Sequence, residues 1–346
     1  MSNVTILKNK QNKPYVPSNL TIVLIFSLLM LGLCVIGSLA LGSRVVTMDG
    51  LIDGLFHQQV QSYEADVVRK RISRTVFSLL CGAALGVAGA LMQAVTRNPI
   101  ADPSILGVNM GASLFVVCGM AFWHITTAGQ YIWLALAGAA VTAVFVFGIG
   151  SMGRGGATPI KLVLAGAATS AALSSLVTAI MIPRSTVMDQ FRFWQVGSVG
   201  SGTWSSISLF LPFLIIGILI AVLSAPALNA LALGDEAANG LGVRTGTLRF
   251  AAAMAGVLLC GAATALAGPI GFVGLLSTHV IRLLLGPDVR YIIPLSAIAG
   301  AIILTVSDIT GRLIGSPGEL EVGVVTAFIG APILIILAMK SKVRSL

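Results

Sequence analysis

The side chains that most often carry out chemistry are few in this chain and widely separated. The three histidines (His57, His124 and His279) do not cluster, and the four cysteines lie in apolar runs without a spacing typical of metal sites. Neither a G-x-x-x-x-G-K-[ST] phosphate-binding loop nor an HExxH metal motif occurs. The sequence therefore predicts no catalytic residue, no metal site and no bound cofactor. If the chain takes part in active transport, a separate subunit must supply the energy.

Charged residues are rare in the apolar stretches of the chain. Arg282 lies near the end of one stretch, and Asp308 and Arg312 lie four residues apart near the end of another, a spacing that permits an ion pair on one helix face. A transporter driven by protons or sodium usually carries ionisable groups at the middle of its spans. A charged ring is one way to build a selective ion channel. The near absence of such groups from the middle of the stretches argues against both classes.

A polar stripe is predicted on the helix that ends at Pro183. Ser170, Ser174 and Thr178 recur every four residues, so they share one face of that helix. Small residues of this kind allow helices to pack closely in a membrane. They also suit the wall of a wide, weakly polar passage for a large solute. The sequence leaves both interpretations open.

The segment LGDEAANGLGVRTG (233–246) is the best candidate for a docking element. It is amphipathic, and its glycines bound two predicted short helical pieces. A connection of this length in so compact a protein usually has a function. The alternative is a plain connecting loop.

Membrane-spanning helices are the elements that must position these residues. The chain has 346 residues, of which 56% are hydrophobic and only 10% charged, and its mean hydropathy is +0.98. A soluble domain usually carries about 25% charged residues, and a soluble protein of this length could not bury so much apolar side chain. We therefore expect an all-α, polytopic membrane protein in which residues 1–346 form a single transmembrane domain.

About ten spans are predicted, since one span needs about 20 apolar residues. They are 20–42, 75–96, two helices within 103–153, one ending at Pro183, then 204–224, 248–267, 271–285, 291–311 and 322–339. Pro99 and Pro103 are expected to break the helix between the second and third spans. The external segments are 43–74, with room for a short surface helix, and 184–203. Residues 1–19 are predicted to be a cytoplasmic tail, and 225–246 to hold cytoplasmic helices.

The charge distribution supports this orientation. When both termini are placed in the cytoplasm, the whole net charge of +9 falls on the cytoplasmic face, as the positive-inside rule expects. The basic character of the chain therefore needs no nucleic acid as a partner.

Five long stretches resemble the permease subunits of ATP-binding-cassette (ABC) importers for ferric siderophores, haem and cobalamin, the FecCD or cobalamin-permease type. They are RISRTVFSLLCGAALGVAGALMQAVTRNP (71–99), ADPSILGVNMGA (101–112), LGDEAANGLGV (233–243), GPIGFVGLLSTHVIRLLLGPD (268–288) and SDITGRLIGSPGELEVGVVTAFIGAPILI (307–335). The resemblance extends from about residue 20 to residue 340 and includes these motifs in the family's order.

The resemblance implies a ten-helix fold of the type II ABC importer permease, in the cytoplasmic membrane of a prokaryote. It implies a second permease copy or a paralogue, two copies of an ATPase subunit that uses ATP, and an external solute-binding protein. Membrane lipid is then the surrounding partner, and the chain itself is not an enzyme.

Two sets of residues take roles from the resemblance. Arg71, Arg74 and Arg312 match arginines that meet acidic residues of the binding protein; the alternative for each is a locally paired arginine. The residues that match the ATPase-coupling motif are Gly234, Asp235, Glu236, Ala237, Ala238 and Gly242.

The substrate expected from the resemblance is a ferric siderophore. A path rich in tyrosine or histidine would favour haem, and the chain has four tyrosines and three histidines without a cluster. Haem and cobalamin remain the alternatives within the family. An ion-coupled secondary transporter or a membrane enzyme would need groups within the spans that the sequence does not offer.

Overall fold

The computed structural model describes residue 17 and residues 19–57, 62–152 and 158–340. This part of the chain contains thirteen α-helices, one short 3-10 helix at Pro103–Leu106 and no strand, so the all-α prediction is confirmed. The α-helices are α1 (Leu20–Ala40), α2 (Met48–Phe56), α3 (Tyr63–Thr96), α4 (Val108–Phe122), α5 (Ala128–Ser151), α6 (Pro159–Met181), α7 (Ser185–Val196), α8 (Trp204–Ala232), α9 (Asp235–Gly240), α10 (Thr245–Ala267), α11 (Val273–Leu285), α12 (Val289–Ile314) and α13 (Val322–Lys340).

Seven of these helices are long and apolar enough to cross a membrane: α1, α3, α5, α6, α8, α10 and α12. Three shorter apolar stretches, Val108–Phe122, Val273–Leu285 and Val322–Ile336, lie in α4, α11 and α13. The chain is therefore a multi-pass membrane protein. The expectation of about ten spans depends on these three shorter stretches also crossing.

Two helices extend well beyond the predicted spans. The α3 helix begins at Tyr63, capped by Ser62, whose hydroxyl accepts from the Ala65 amide at 3.2 Å. Its charged first turns were expected to be an external loop up to residue 74. At the other end of the bundle α8 continues past Pro226 to Ala232. Residues 225–232 are therefore the last part of α8 and do not form a separate helix.

Two amphipathic helices lie outside the long apolar ones. The predicted short surface helix in 43–74 is present as α2. The segment 184–203 was predicted without a helix, yet α7 forms there and buries Val187 and Phe191. The predicted cytoplasmic tail, residues 1–19, lies almost wholly outside the described residues, as do Arg154, Lys342 and Arg344, which supported the predicted orientation.

The α3 helix forms the centre of the bundle and packs against its neighbours through glycines. A Cβ atom at Gly89 would lie 2.5 Å from the carbonyl group of Gly274 on α11, and one at Gly82 would lie 2.7 Å from the Ala301 Cα atom on α12. Backbones can approach this closely only where side chains are absent. The glycine-rich composition of α3 therefore fixes which helices surround it.

The chain turns back into the bundle after α3. Arg97 ends α3 in the left-handed conformation (φ 51°), and Gly107 begins α4 in the same region of backbone space (φ 71°). A Cβ atom at Gly107 would lie 2.9 Å from the Thr142 side chain on α5 and 3.4 Å from the Ser170 hydroxyl on α6. The segment 97–107 therefore runs from the end of α3 to a contact with α5 and α6, and its predicted break at the prolines is confirmed.

Candidate functional site

The three arginines predicted to dock a binding protein lie together where α1 ends and α3 begins, which we call the arginine end. Asp308 on α12 joins two of them: its Oδ1 accepts from Arg74 Nη2 at 2.7 Å, and its Oδ2 lies 3.1 Å from Arg312 Nε. The Asp308–Arg312 ion pair expected from their spacing is confirmed. Arg74 also forms an ion pair with Glu319, with Nη1 and Oε2 2.6 Å apart.

Arg71 supports the end of α1. Its guanidinium donates to the carbonyl oxygens of Leu39, Ala40 and Arg44 at 2.9, 3.0 and 2.7 Å. The last carbonyls of a helix have no partner within the helix, and a cation there also complements the helix dipole. Arg71 is 6% exposed, so its side chain faces the chain itself.

Arg312 is held in the same way. It donates to the carbonyl oxygens of Ser38 and Leu41 at 3.0 and 3.1 Å and to the Ser38 hydroxyl at 2.8 Å. It is only 2% exposed. Arg71 and Arg312 thus tie α1 to α3 and α12 through donors that are bonded within the chain, and both also line a cleft at this end.

Exposed cations near these arginines were missed by the sequence reasoning. Arg44 and Lys70 are exposed and line a cleft of about 270 Å³ together with Arg74 and Glu319. Lys70 is the neighbour of Arg71 in sequence, and Arg44 lies four residues after α1 ends at Ala40. Their exposure depends on how the loop and α3 pack, which the motif alone does not reveal.

The opposite end of the bundle carries the predicted coupling residues on a single short helix, α9. Gly234 and Gly242 flank it with φ of 115° and 82°, values that side chains with a Cβ rarely adopt. Ala238 is the buried residue of α9. The structure thus has one helical piece here, and the expectation of two is wrong because Gly240 ends α9 and the chain then turns directly into α10.

The exposed residues of α9 are mostly polar or small, and a leucine lies beside each end of the helix. Glu236 and Ala237 are exposed, and Leu233 and Leu241 at its two ends are 70% and 65% exposed. The two leucines were not among the predicted residues. Exposed apolar side chains that form one patch can serve as an interaction surface.

Asp235 forms ion pairs with two arginines of the bundle, and its side chain is 43% exposed. Its Oδ1 lies 2.8 Å from Arg249 Nη2 on α10 and also forms an ion pair with Arg97 at the end of α3. Neither arginine was predicted as a partner of Asp235. Arg97 is 138 residues away from it in sequence, and Arg249 lies on the next helix. Of the predicted coupling residues, Glu236 and Ala237 are exposed and Ala238 is buried. Asp235 is held in ion pairs, and the two glycines form the turns on either side of α9.

Asp288 is a second acid that connects helices at the α9 end of the bundle. Asp288 accepts from Arg290 Nη2 at 2.7 Å and from Asn229 Nδ2 at 2.6 Å, and the Asn229 amide oxygen accepts from the Val289 amide at 2.8 Å. The hydrogen bond from Arg290, helped by the one from Asn229, holds the pKa of Asp288 below its usual range. This cluster joins the end of α8 to the start of α12.

The predicted polar stripe lies on α6. Ser170 is half-buried near Gly107, whereas Ser174 and Thr178 are exposed. The Thr178 hydroxyl donates to the Ser174 carbonyl at 2.9 Å, a bond within the helix. Most of α6 is exposed in the single chain. The described residues contain no group of three His, Cys, Asp or Glu side chains able to hold a metal ion.

Comparison with known proteins identifies the family to which these features belong. Residues 28–340 match the FecCD transport family. The chain belongs to that family. It is 42% identical over 315 residues to the ferric enterobactin transport system permease protein FepD of Escherichia coli, covering 90% of this chain and 93% of FepD.

Two further similarities agree with the family. The chain is 39% identical to the iron(3+)-hydroxamate import system permease protein FhuB of Bacillus subtilis, covering 93% of this chain and 84% of FhuB. A solved structure described as an inward-facing conformation of a metal-chelate type ABC transporter superposes with a TM-score of 0.80 at 25% identity. It covers 93% of this chain and 99% of the other. The chain therefore has the fold of an ABC transporter permease, and it is a transport protein.

Proposed function

We propose that this chain is the permease subunit of an ABC importer that carries a ferric siderophore across the cytoplasmic membrane of a prokaryote. The named relatives transport ferric enterobactin and iron(3+)-hydroxamate, which supports the iron-chelate class. The observation that carries the rest is the exposed face of α9. It presents Leu233, Glu236, Ala237 and Leu241 at one end of the bundle, where a separate ATPase could bind and supply the energy.

In this proposal the chain crosses the membrane about ten times, with both termini in the cytoplasm. Its partners are two copies of an ABC ATPase, a second permease copy or paralogue, an external solute-binding protein and lipid. ATP is hydrolysed on the ATPase, and the chain binds no cofactor. The exposed face of α6, with Ser174 and Thr178, forms a neutral wall of the passage between the paired permeases, which suits a bulky chelate.

Docking of the binding protein is assigned to the arginine end. Five cations line its cleft, and Arg44 and Lys70 are the exposed ones, so they would attract acidic residues of the binding protein. Arg71 and Arg312 shape this end by holding α1. The charge-reversing pair Arg44→Glu and Lys70→Glu should weaken binding at least about tenfold, whereas Arg244→Glu at the opposite end should not. Equal affinities would show that the cleft is not the docking surface.

The ATPase contact is tested by placing charge on the exposed leucines of α9. The double variant Leu233→Asp and Leu241→Asp should lose co-purification of the ATPase, because two carboxylates would enter an apolar contact. Val45→Asp, at a 93% exposed residue of the arginine end, is the matched control. An ATPase that still co-purifies and still drives uptake in the double variant would disprove the assignment of α9.

Haem and cobalamin are the alternative substrates within the same class of importer. An ion-coupled secondary transporter is the alternative of a different class. It would take up substrate without ATP, so uptake in sealed vesicles separates the two classes.

A further inference from the structure

One carboxylate oxygen links three separate elements at the α9 end. Asp235 Oδ1 forms ion pairs with Arg249 of α10, at 2.8 Å, and with Arg97 at the end of α3. Arg249 is 8% exposed, so its guanidinium lies within the protein. The Asp235 side chain remains 43% exposed, but its carboxylate is held by both arginines of the bundle, whereas the neighbouring Glu236 is exposed.

The short helix depends on these contacts for its position. A helix of six residues is too short to be stable alone, and α9 is connected on both sides through glycines in the positive-φ region. Besides its backbone connections to α8 and α10, α9 is attached to the bundle by the buried Ala238 side chain and the Asp235 ion pairs. The ion pair with Arg97 links α9 to the end of α3, so displacement of α9 would act on that end through Asp235.

The ion pair with Arg97 leads toward the interior. Arg97 is the first residue of the segment 97–107, which contains the fully buried Ala101 and Leu106 and ends at Gly107 beside Ser170 of α6. A movement of Arg97 would therefore be passed along a packed segment to the helix that carries the polar stripe.

From this geometry we infer that Asp235 is a positioning residue. It couples the movement of α9 to the segment 97–107 through Arg97, and this role does not depend on a contact between Asp235 and the ATPase. This inference rests on the proposed function, since it takes α9 as the ATPase contact. It divides the two adjacent acids by role: Glu236 belongs to the contact surface and Asp235 to the transmission inside the permease.

The test is a double-mutant cycle in the reconstituted complex of permease, ATPase and binding protein. The variants are Asp235→Asn, Arg97→Gln, their combination, and the conservative Arg97→Lys. Arg290→Gln is the matched control, because it breaks an Asp–Arg ion pair at the same end that does not involve α9. The measured quantities are ATPase co-purification, ATP hydrolysis, iron chelate transported per ATP, and thermal unfolding of each variant.

We expect both single variants to keep the ATPase bound and to lose at least about tenfold in chelate transported per ATP. The combination should be no worse than Asp235→Asn alone, since Asp235→Asn already removes the ion pair that Arg97→Gln breaks. Arg97→Lys should restore most of the coupling, and Arg290→Gln should match the wild type.

Three results would overturn the inference: losses that multiply in the combination, single variants that transport as well as Arg290→Gln, or an ATPase that dissociates from Asp235→Asn but not from Arg97→Gln. If Asp235→Asn does not fold, the comparison of Arg97→Gln with Arg97→Lys decides, because Arg97 is partly exposed. A wild-type complex without ATP-dependent uptake would instead refute the proposed function.

Discussion

Replacing Asp308 with asparagine should strongly destabilise the protein. Asp308 is the counter-charge of Arg312, and both side chains are 2% exposed. Arg74 keeps its ion pair with Glu319 after the change, so Arg312 is the cation left without a carboxylate. Removing one member of a buried ion pair costs about 3–5 kcal/mol, because the remaining charge stays buried and uncompensated. We expect Asp308→Asn to lower the free energy of unfolding by that amount.

The assay is unfolding of the purified protein by denaturing detergent in mixed micelles, followed by tryptophan fluorescence. Asp66→Asn is the matched control, since it breaks the exposed ion pair with Arg69, whose atoms are 2.8 Å apart, and an exposed pair contributes less than about 1 kcal/mol. The reasoning is refuted if the two variants unfold with free energies that differ by less than about 1 kcal/mol.

Three further predictions concern packing, pH and docking. Gly89→Ala should destabilise by about 1–3 kcal/mol through overpacking, whereas Gly32→Ala, with open space around its Cβ position, should be neutral or stabilising; equal unfolding curves would contradict this. Because the pKa of Asp288 is lowered in the folded state, its stabilising contribution is complete above about pH 5 and is lost as the pH falls through the folded-state pKa. The difference in unfolding free energy between wild type and Asp288→Asn should therefore shrink on acidification, and a difference that grows would be inconsistent. Glu319→Gln should tighten binding of the solute-binding protein by removing a negative charge from the cleft that Arg44, Lys70 and Arg74 line, and a pull-down or surface-binding assay showing weaker binding would count against it.

The membrane class and most helices follow from hydropathy, because long apolar stretches must be helical in lipid. The misses have physical causes. The first turns of α3 are rich in charge and resemble a loop by composition, although they continue the helix at the arginine end. The α8 helix passes through Pro226, where the sequence predicted an end, and proline is tolerated in membrane helices when neighbouring groups satisfy the freed carbonyl. The α7 helix was missed because it is amphipathic and too polar to be predicted as a membrane span.

The candidate site was predictable only where its contacts are local. The Asp308–Arg312 pair is separated by one helical turn, so spacing alone indicated it. The Arg74–Asp308 pair joins residues 234 apart, and the Arg97–Asp235 pair joins residues 138 apart. Such pairs depend on how α3 packs among its neighbours. The resemblance pointed to these segments, but the burial of each side chain, which the sequence does not show, decides which of their residues face outward.

The central claim is ATP-driven import of an iron chelate, and transport in liposomes tests it most directly. The chain would be reconstituted with its ATPase and binding protein, and uptake of radioactive iron as hydroxamate, catecholate and citrate chelates would be measured beside haem and labelled cobalamin. The account predicts uptake of at least one iron chelate that stops when ATP or the binding protein is omitted. Uptake that ignores ATP and follows a proton gradient would contradict it.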